Sequence, residues 1–300
     1  MTDLHLHSLY SDDGEFTPAE MARMCAESGV TLMSVTDHNC ARANREAEEA
    51  ARAAGVRYVT GIEIDCVYEE AVFHVLGYRI DADSPVFLEI EENVARQGAA
   101  ASEAMLQKTR TLGFPVTETE MRQMAKGRYW RDLWTGEMFA EALLGKEELA
   151  GHPLLMPYRP GGARSDNPYV NFYWDFYAQG KPCHAPVDYP AMEDVLRIVR
   201  QSGGIAVLAH PGMSLRGRES LLPGILKLGL DGIEAYSSYH TPEQAAAFEA
   251  VAKERRLLAT CGSDFHGKNK PAVRIGGAVF APGTDKEAVG RAARRALLAQ

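Results

Sequence analysis

The sequence predicts a mixed α/β protein in which roughly seven strands form a closed or nearly closed barrel. Segments with strand-like and helix-like hydrophobic periodicity alternate near both ends of the chain, which is typical of a parallel sheet. Neither a GxGxxG nor a Walker A motif is present to favour an open nucleotide-binding sheet. The 300 residues, 46% hydrophobic and 24% charged, allow one large barrel or two ordinary domains.

The first 80 residues predict strands at 2–7, 31–37, 58–65 and 72–80, with helices at 17–28 and 41–54. The first helix is the best marked. Thr17 is a good N-cap, Pro18 suits the first turn, Glu20 completes a capping box, and Gly29 follows where the helix should end.

The pattern changes between residues 84 and 183. A long helical stretch at 86–112 precedes a second helix near 136–149 and an aromatic, Gly/Pro-rich run at 158–177. The alternation then resumes, with helices predicted at 192–201, 221–228, 241–254 and 286–298 and strands at 204–209, 232–236 and 257–261. We therefore predict a barrel formed by residues 1–83 and 184–300, interrupted by a mainly helical insertion domain at 84–183.

Composition restricts the possible partners and location. The net charge of −9 argues against a stable nucleic-acid partner or an acidic membrane surface, because both require clustered Lys/Arg excess. Five widely spaced cysteines without a CxxC pair indicate reduced, mostly buried thiols. The first residues lack a basic and apolar leader, and no apolar stretch approaches ~18 residues. We expect a cytoplasmic protein, and the sequence leaves its oligomeric state open.

Metal-ligand residue types follow the predicted strands. They are His5, His7, His38, Glu63, His74, His210, Asp264 and His266. The C-terminal ends of barrel strands meet on one face, and residues two apart on a strand point to the same side. Burying so many titratable groups without a compensating ion would be costly. The pattern therefore predicts a multinuclear metal site.

The motifs HLHSLYSDDG, VTDHN, GIEI, FHVLGY, VLAHPG, DGIEAYSSYH and GSDFHG resemble those of the PHP (polymerase and histidinol phosphatase) metal-dependent phosphoesterases of the small stand-alone type. The resemblance covers about residues 1–82 and 190–282. It implies a distorted (β/α)7 barrel that carries two or three divalent metal ions.

The resemblance also implies a ligand set. One metal would be held by His5, His7, Glu63 and Asp264, a second by Glu63, His74 and His210, and a third by Asp12, His38 and His266. Nitrogen and oxygen ligands without thiolate fit Mn, Fe or Zn. The positive charge of three divalent ions exceeds the negative charge of the three carboxylates. This excess favours an anionic substrate such as a phosphate ester.

The expected activity is hydrolysis of a small phosphorylated metabolite, with a cyclic sugar phosphodiester and the resulting monoester as leading candidates. A hydroxide bridging two metals would attack phosphorus, with Glu63 and Asp264 as the catalytic carboxylates. His240 matches a family motif and would donate a proton to the leaving group or bind phosphate. Its alternative role is to pack the loop or to cap the helix that begins near Thr241.

Substrate selection is expected in the insertion, where Lys126, Arg128, Arg131 and Arg164 supply cations for phosphate. The alternative is a solvated basic turn beside an aromatic core. In the nucleotide-acting subgroup the corresponding stretch reads Gly-Arg-Pro-His, whereas this chain has Gly-Arg-Tyr-Trp-Arg, and that departure weakens a nucleotide assignment.

Other functions remain open. The chain could be a nucleotide phosphatase that acts on a 3',5'-bisphosphate or AMP, or a 5'-3' oligoribonuclease. A third alternative is an amidohydrolase-type C–N hydrolase, which would typically need a carboxylated lysine between its metals, and no strand-end lysine is apparent. A catalytically silent PHP module would be expected to lack ligands that this chain retains.

Overall fold

The computed structural model describes residues 1–298 as a mixed α/β fold. Its strands are β1 (Thr2–Leu6), β2 (Leu32–Val35), β3 (Arg57–Tyr58), β4 (Gly61–Tyr68), β5 (Ala71–Tyr78), β6 (Ile205–Leu208), β7 (Gly232–Ser237) and β8 (Leu258–Gly262). Its α-helices are α1 (Pro18–Glu27), α2 (Asn44–Ala53), α3 (Pro85–Thr111), α4 (Glu118–Ala125), α5 (Gly136–Leu144), α6 (Pro168–Phe176), α7 (Met192–Gln201), α8 (Pro211–Ser214), α9 (Leu222–Lys227), α10 (Pro242–Arg255) and α11 (Lys286–Leu298). Four short 3-10 helices lie at Glu147–Leu149, Met156–Tyr158, Glu219–Leu221 and Gly267–Asn269.

Hydrogen bonding divides the strands into two sheets. Strands β1, β2 and β3 form a parallel sheet, and β4 to β8 form a second sheet in sequence order. Isolated bridges, Leu6 to Phe265 and His38 to Glu63, connect the edges of the two sheets. The mixed α/β class is confirmed, but the closed (β/α)7 barrel is not.

The direction of β5 is the main departure from the predicted repeat. Strand β5 is antiparallel to both β4 and β6, whereas β6, β7 and β8 are parallel. A two-residue turn joins β4 to β5, with Glu69 and Glu70 both at positive φ (46° and 63°). Such a turn suits a hairpin, but the pair Glu-Glu lacks the Asn or Gly that would have indicated it in the sequence.

Most predicted elements are confirmed. Helices α7 and α11 have the predicted bounds, and α1 has the predicted capping box between Thr17 and Glu20. Helices α4 and α6 were missed. Helix α4 begins with its own capping box, Thr117 with Glu120, so a signal for it was present in the sequence.

Two hydrophobic clusters lie in different parts of the chain. One packs on the five-stranded sheet, and the other lies within the segment from 84 to 183. Phe87 of α3 packs with the five-stranded sheet, whereas Leu106 of the same helix packs with α5 and α6. The division into a barrel and an insertion domain at 84–183 stays a prediction. All five cysteines are buried and free, as expected.

Among residues 1–298, no helix has the length and apolar character needed to cross a membrane. The cytoplasmic location stays a prediction.

Asp3 ties β1 to the segments that follow β8. Its carboxylate is fully buried, and it accepts hydrogen bonds from the backbone N–H groups of Ser263 at 2.9 Å and Gly276 at 2.7 Å. Gly262 lets the same strands approach closely, because a Cβ at this position would collide with the Cβ of His5. The position of His5 therefore depends on this junction.

We predict that Asp3→Ala lowers the free energy of unfolding by about 2–5 kcal/mol, because two buried amide groups lose their acceptor. Asp3→Asn is the matched control: it keeps one acceptor oxygen and should lose less. Urea unfolding followed by circular dichroism measures both. An unchanged unfolding midpoint for Asp3→Ala would contradict the proposed link.

Candidate metal centre

The predicted ligand residues meet at one edge of the two sheets. His5 lies on β1 and His7 just after it, His38 follows β2, His210 follows β6, and Asp264 and His266 follow β8. Two of the ligand residues lie inside strands, whereas the prediction placed them at strand ends. Glu63 is the third residue of β4, and His74 lies inside β5 opposite Asp65. Because β5 runs antiparallel, its first half reaches the edge where the parallel strands end.

Glu63 stands at the centre of the cluster. Its carboxylate is fully buried, with Oε2 3.0 Å from Nε2 of His5 and 3.1 Å from Nε2 of His7. Its other oxygen, Oε1, lies 3.0 Å from Nδ1 of His74 and 3.1 Å from Nε2 of His210. Glu63 thus joins two groups of candidate ligands.

Asp264 completes the first group with His5, His7 and Glu63, whose ligand atoms all lie within 4.8 Å of one another. Its Oδ1 is 3.2 Å from Nε2 of His5 and 3.1 Å from Nε2 of His7. The backbone of Asp264 has a φ of 57°, and His210 has a φ of 25°. Such left-handed conformations are strained for non-glycine residues and concentrate at functional sites.

A further group contains His38, Asp65 and His74. Oδ1 of Asp65 lies 3.3 Å from both Nδ1 of His38 and Nε2 of His74. Asn39 holds the other oxygen of Asp65 through a 2.8 Å hydrogen bond. Asp65 was not among the ligands implied by the family resemblance.

The last group contains His7, Asp13, His38 and His266, so it includes Asp13 where the prediction named Asp12. Oδ2 of Asp13 lies 3.0 Å from Nε2 of His266, and Ser11 donates a hydrogen bond to its Oδ1. The carboxylate of Asp12 belongs to none of the groups found among residues 1–298. Burial and the charge of Asp13 raise the pKa of Asp12 to about 7, and the charge of His38 lowers it, so Asp12 also lies near this group. The run Ser-Asp-Asp-Gly could not reveal which of the two carboxylates joins it.

Two of the candidate ligands are in the forms that bind a metal ion, an ionised carboxylate at Glu63 and a neutral imidazole at His7. Burial opposes ionisation of Glu63, but the charges of His5 and His38 outweigh it and hold the pKa of Glu63 well below its usual range. Burial and the charge of His266 lower the pKa of His7 to about 4, so this imidazole is neutral. Its buried Nε2 has no hydrogen-bond partner in the described chain, although two carboxylates lie within 3.1 Å. These nitrogen and oxygen donors fit divalent metal ions.

Glu234 is a functional residue that the sequence reasoning missed. This fully buried carboxylate on β7 lies 3.0 Å from Nδ1 of His5 and accepts the backbone N–H of His210 at 2.8 Å. A carboxylate behind a histidine fixes the tautomer so that the other ring nitrogen faces the metal. A glutamate inside an otherwise apolar strand is the signal that would have identified it.

Lys270 was also missed. Its Nζ lies 2.5 Å from Oδ2 of Asp264 and 3.5 Å from Nε2 of His266, and the residue is only 6% exposed. Burial disfavours the ammonium, but the charge of Asp264 outweighs it and raises the pKa of Lys270. This lysine does not lie between the groups that share Glu63, where an amidohydrolase-type enzyme would typically need one.

His240 does not have the contacts expected of a proton donor. Its Nδ1 donates to the backbone oxygen of Ala235 at 3.0 Å, and its Nε2 accepts the N–H of Gly212 at 3.1 Å. Burial lowers the pKa of His240, which keeps the ring neutral. These contacts support the alternative role in packing, because they hold the turn after His210. Helix α10 is capped by Thr241 instead.

The four predicted substrate cations have different surroundings. Arg128 donates from a terminal nitrogen to the backbone oxygen of Asp12 at 3.3 Å, which places it beside the ligand loop. Lys126 and Arg131 are solvent-exposed. Arg164 pairs with Asp175 at 3.0 Å inside the segment from 84 to 183.

Two other residues of the same segment face this region. Trp130 donates its indole N–H to the backbone oxygen of Tyr10 at 2.7 Å. Glu137 on α5 is buried, and burial together with the charges of Asp13 and Asp12 raises its pKa to about 8. The segment therefore contributes polar groups to one side of the candidate centre.

We predict that His240→Gln retains activity within about threefold of wild type, because the glutamine amide oxygen can accept the N–H of Gly212 in place of Nε2. Loss of a proton donor would instead cost about 10²–10⁴-fold in kcat. Steady-state kinetics distinguish the two, with His240→Ala, which removes the acceptor, as the destabilised comparison. A hundredfold loss in His240→Gln with intact folding would restore the catalytic role.

Comparisons with known proteins agree with the geometry. The family model of the PHP domain matches residues 3–125. The phosphoribosyl 1,2-cyclic phosphate 1,2-diphosphodiesterase of Eggerthella lenta is 31% identical over 268 residues, covering 89% of this chain and 94% of that protein. The 3',5'-nucleoside bisphosphate phosphatase of Chromobacterium violaceum is 27% identical, covering 91% and 90%. The 5'-3' exoribonuclease Rnm of Escherichia coli is 25% identical, covering 93% and 89%.

Among solved structures, a protein of Bifidobacterium adolescentis provisionally described as a metal-dependent phosphoesterase is 26% identical, with a TM-score of 0.74. The match covers 96% of this chain and 95% of that one. The likeness in fold therefore extends over nearly the whole chain.

Proposed function

The chain belongs to the PHP family of metal-dependent phosphoesterases, and from this premise we propose that it hydrolyses a small phosphorylated metabolite, with a cyclic sugar phosphodiester and the monoester it yields as leading substrates. The observation that carries the proposal is the buried Glu63 carboxylate, which joins two groups of candidate ligands at one edge of the sheets. A centre that holds several cations suits a substrate that is an anion both as the cyclic diester and as the monoester formed from it.

The ligand groups can be assigned to two or three divalent ions, with Mn, Fe or Zn favoured by the donor set. The first would be held by His5, His7, Glu63 and Asp264, the second by Glu63, His74 and His210, and the third by Asp13, His38 and His266. Bound there, the ions would supply the positive charge that activates water and neutralises charge developing on the phosphoryl oxygens.

The protein's own residues orient this chemistry. Glu234 accepts from Nδ1 of His5, which directs Nε2 of that ring toward Glu63. Lys270 holds Oδ2 of Asp264, so that Oδ1 faces His5 and His7. Ligand side chains held in this way lose little conformational freedom when a cation or substrate binds.

Two considerations support the choice of substrate. The Eggerthella lenta relative, at 31% identity, acts on a cyclic phosphate of a phosphorylated ribosyl group. The Gly-Arg-Tyr-Trp-Arg segment, which departs from the nucleotide subgroup, lies beside the ligand loop through Arg128 and Trp130.

The alternative is a nucleotide phosphatase or a 5'-3' oligoribonuclease, in keeping with the Chromobacterium violaceum and Escherichia coli relatives. The names of the first two relatives both describe substrates with two phosphate groups, so a small bisphosphorylated sugar is compatible with either assignment. An amidohydrolase-type reaction is not favoured, because Glu63 holds the shared position and Lys270 lies elsewhere.

We predict that the Mn-loaded protein turns over a ribose cyclic phosphate fastest, on a panel that includes histidinol phosphate, AMP, a nucleoside 3',5'-bisphosphate and a short RNA. Inorganic phosphate is measured for the small esters, and released mononucleotide is measured for the RNA. Asp264→Asn should lose at least about a hundredfold in kcat/KM, because one ligand group loses its charge, while its circular dichroism stays unchanged. Faster turnover of the bisphosphate or RNA would select the alternative. No phosphate from any ester would overturn the proposed function.

We predict that Asp13→Asn lowers the bound metal by about one equivalent, because it removes a charged ligand from the third group. Asp12→Asn is the matched control and should keep the metal content of the wild type. Elemental analysis of the purified variants after equilibration with Mn measures this difference. Loss of about one metal equivalent in Asp12→Asn but not in Asp13→Asn would instead assign the ligand role to Asp12.

A further inference from the structure

Three charged side chains outside the ligand groups meet beside the candidate centre. Nζ of Lys268 lies 2.5 Å and 2.7 Å from the two carboxylate oxygens of Glu141 on α5. A terminal nitrogen of Arg128 lies 3.8 Å from the same carboxylate. Within this cluster, two cations therefore share one carboxylate.

The cluster lies next to the third ligand group. Arg128 donates to the backbone oxygen of Asp12, the residue before Asp13, and Lys268 comes two residues after His266. Asp13 and His266 are themselves 3.0 Å apart. An anion bound by Arg128 and Lys268 would thus sit close to the centre without occupying it.

The three side chains are accessible to a solute. Their exposed fractions are 20% for Arg128, 28% for Glu141 and 37% for Lys268. Partly exposed ion pairs contribute little to stability, so moving Glu141 away from its partners costs little. Two of the three residues are held by other hydrogen bonds as well: the N–H of Lys268 donates to Glu15 at 2.6 Å, and Arg128 donates to the backbone oxygen of Asp12 at 3.3 Å.

Building on the proposed function, we propose that Arg128 and Lys268 form a subsite for a second anionic group of the substrate, a phosphate monoester that is not the one hydrolysed. Glu141 occupies this subsite in the free protein as a competing carboxylate. A phosphate dianion carries more charge than a carboxylate and offers three acceptor oxygens. Two of these oxygens can accept from the planar guanidinium of Arg128, and the third can accept from the ammonium of Lys268. The substrate class is then a sugar phosphate ester with two phosphate groups.

The test compares ribose 1,2-cyclic phosphate with and without a 5-phosphate group. Lys268→Met should raise KM for the 5-phosphorylated substrate about tenfold, leave kcat unchanged, and change the kinetics of the unphosphorylated substrate by less than about twofold. Glu141→Gln should lower KM for the 5-phosphorylated substrate severalfold, because the competing charge is removed. Lys181→Met, at an exposed lysine after α6, is the matched control.

Equal losses on both substrates in Lys268→Met would mean that the lysine only supports the loop around His266, and would overturn the subsite. Unchanged kinetics of Lys268→Met on both substrates would also overturn the subsite.

Binding of ribose 5-phosphate to the metal-loaded protein, measured by titration calorimetry, separates this proposal from the proposed function. If wild type hydrolyses neither cyclic phosphate, the proposed function fails, and the calorimetry still decides the subsite. Weaker binding in Lys268→Met and tighter binding in Glu141→Gln support it, whereas equal affinity in wild type and both variants overturns it.

Discussion

The burial of one carboxylate, Glu63, determines much of the architecture. A charge removed from water is tolerated only when opposite charges or donors contact it directly. Here the contacts come from His5 on β1, His74 on β5 and His210 after β6. Segments far apart in the chain must therefore end at the same place.

The strand junctions follow from that requirement. Strand β1 approaches β8 closely because Gly262 has no side chain at the point where His5 passes. Asp3, two residues before His5 on β1, closes the junction through the amides of Ser263 and Gly276. Asp264 and His210 are both at positive φ. The N–H of Asp264 donates to the backbone oxygen of His5 at 2.9 Å, and the N–H of His210 donates to Glu234 at 2.8 Å. Strain at such positions persists when the surrounding structure over-determines it.

The sequence predicted the parts of this arrangement that depend on periodicity. The strand that carries His5 and the capping box of α1 are local patterns, and the structure confirms them. The strand predicted at 58–65 is instead divided into β3 and β4. The direction of β5 could not be predicted in the same way, because it depends on a turn whose Glu69 and Glu70 carry no turn signature.

The remaining differences arise from tertiary contacts. Asp13 and Asp12 are chemically identical neighbours, and only the path of the loop decides which carboxylate faces His266. Glu234 lies within the motif DGIEAYSSYH, but its partner His5 is 229 residues away in the chain, so the motif does not reveal the contact. Lys270 follows the motif GSDFHG closely, and only the path of the chain after His266 returns its ammonium to Asp264. His240 lies in a segment that resembles a family motif, but its ring accepts the backbone N–H of Gly212.

Helix α3 has a mechanical consequence. At 27 residues it is about 40 Å long, and its first turns pack on the sheets through Phe87 whereas its last turns pack with α5 and α6 through Leu106. The segment that contains Arg128 and Trp130 is therefore connected to the sheets by a continuous helix and not by a flexible linker. A tilt of about 5° at its base moves the far end by roughly 3–4 Å. That distance is comparable to one hydrogen bond, and the contacts of Arg128 with Asp12 and of Trp130 with Tyr10 hold the segment against such a displacement.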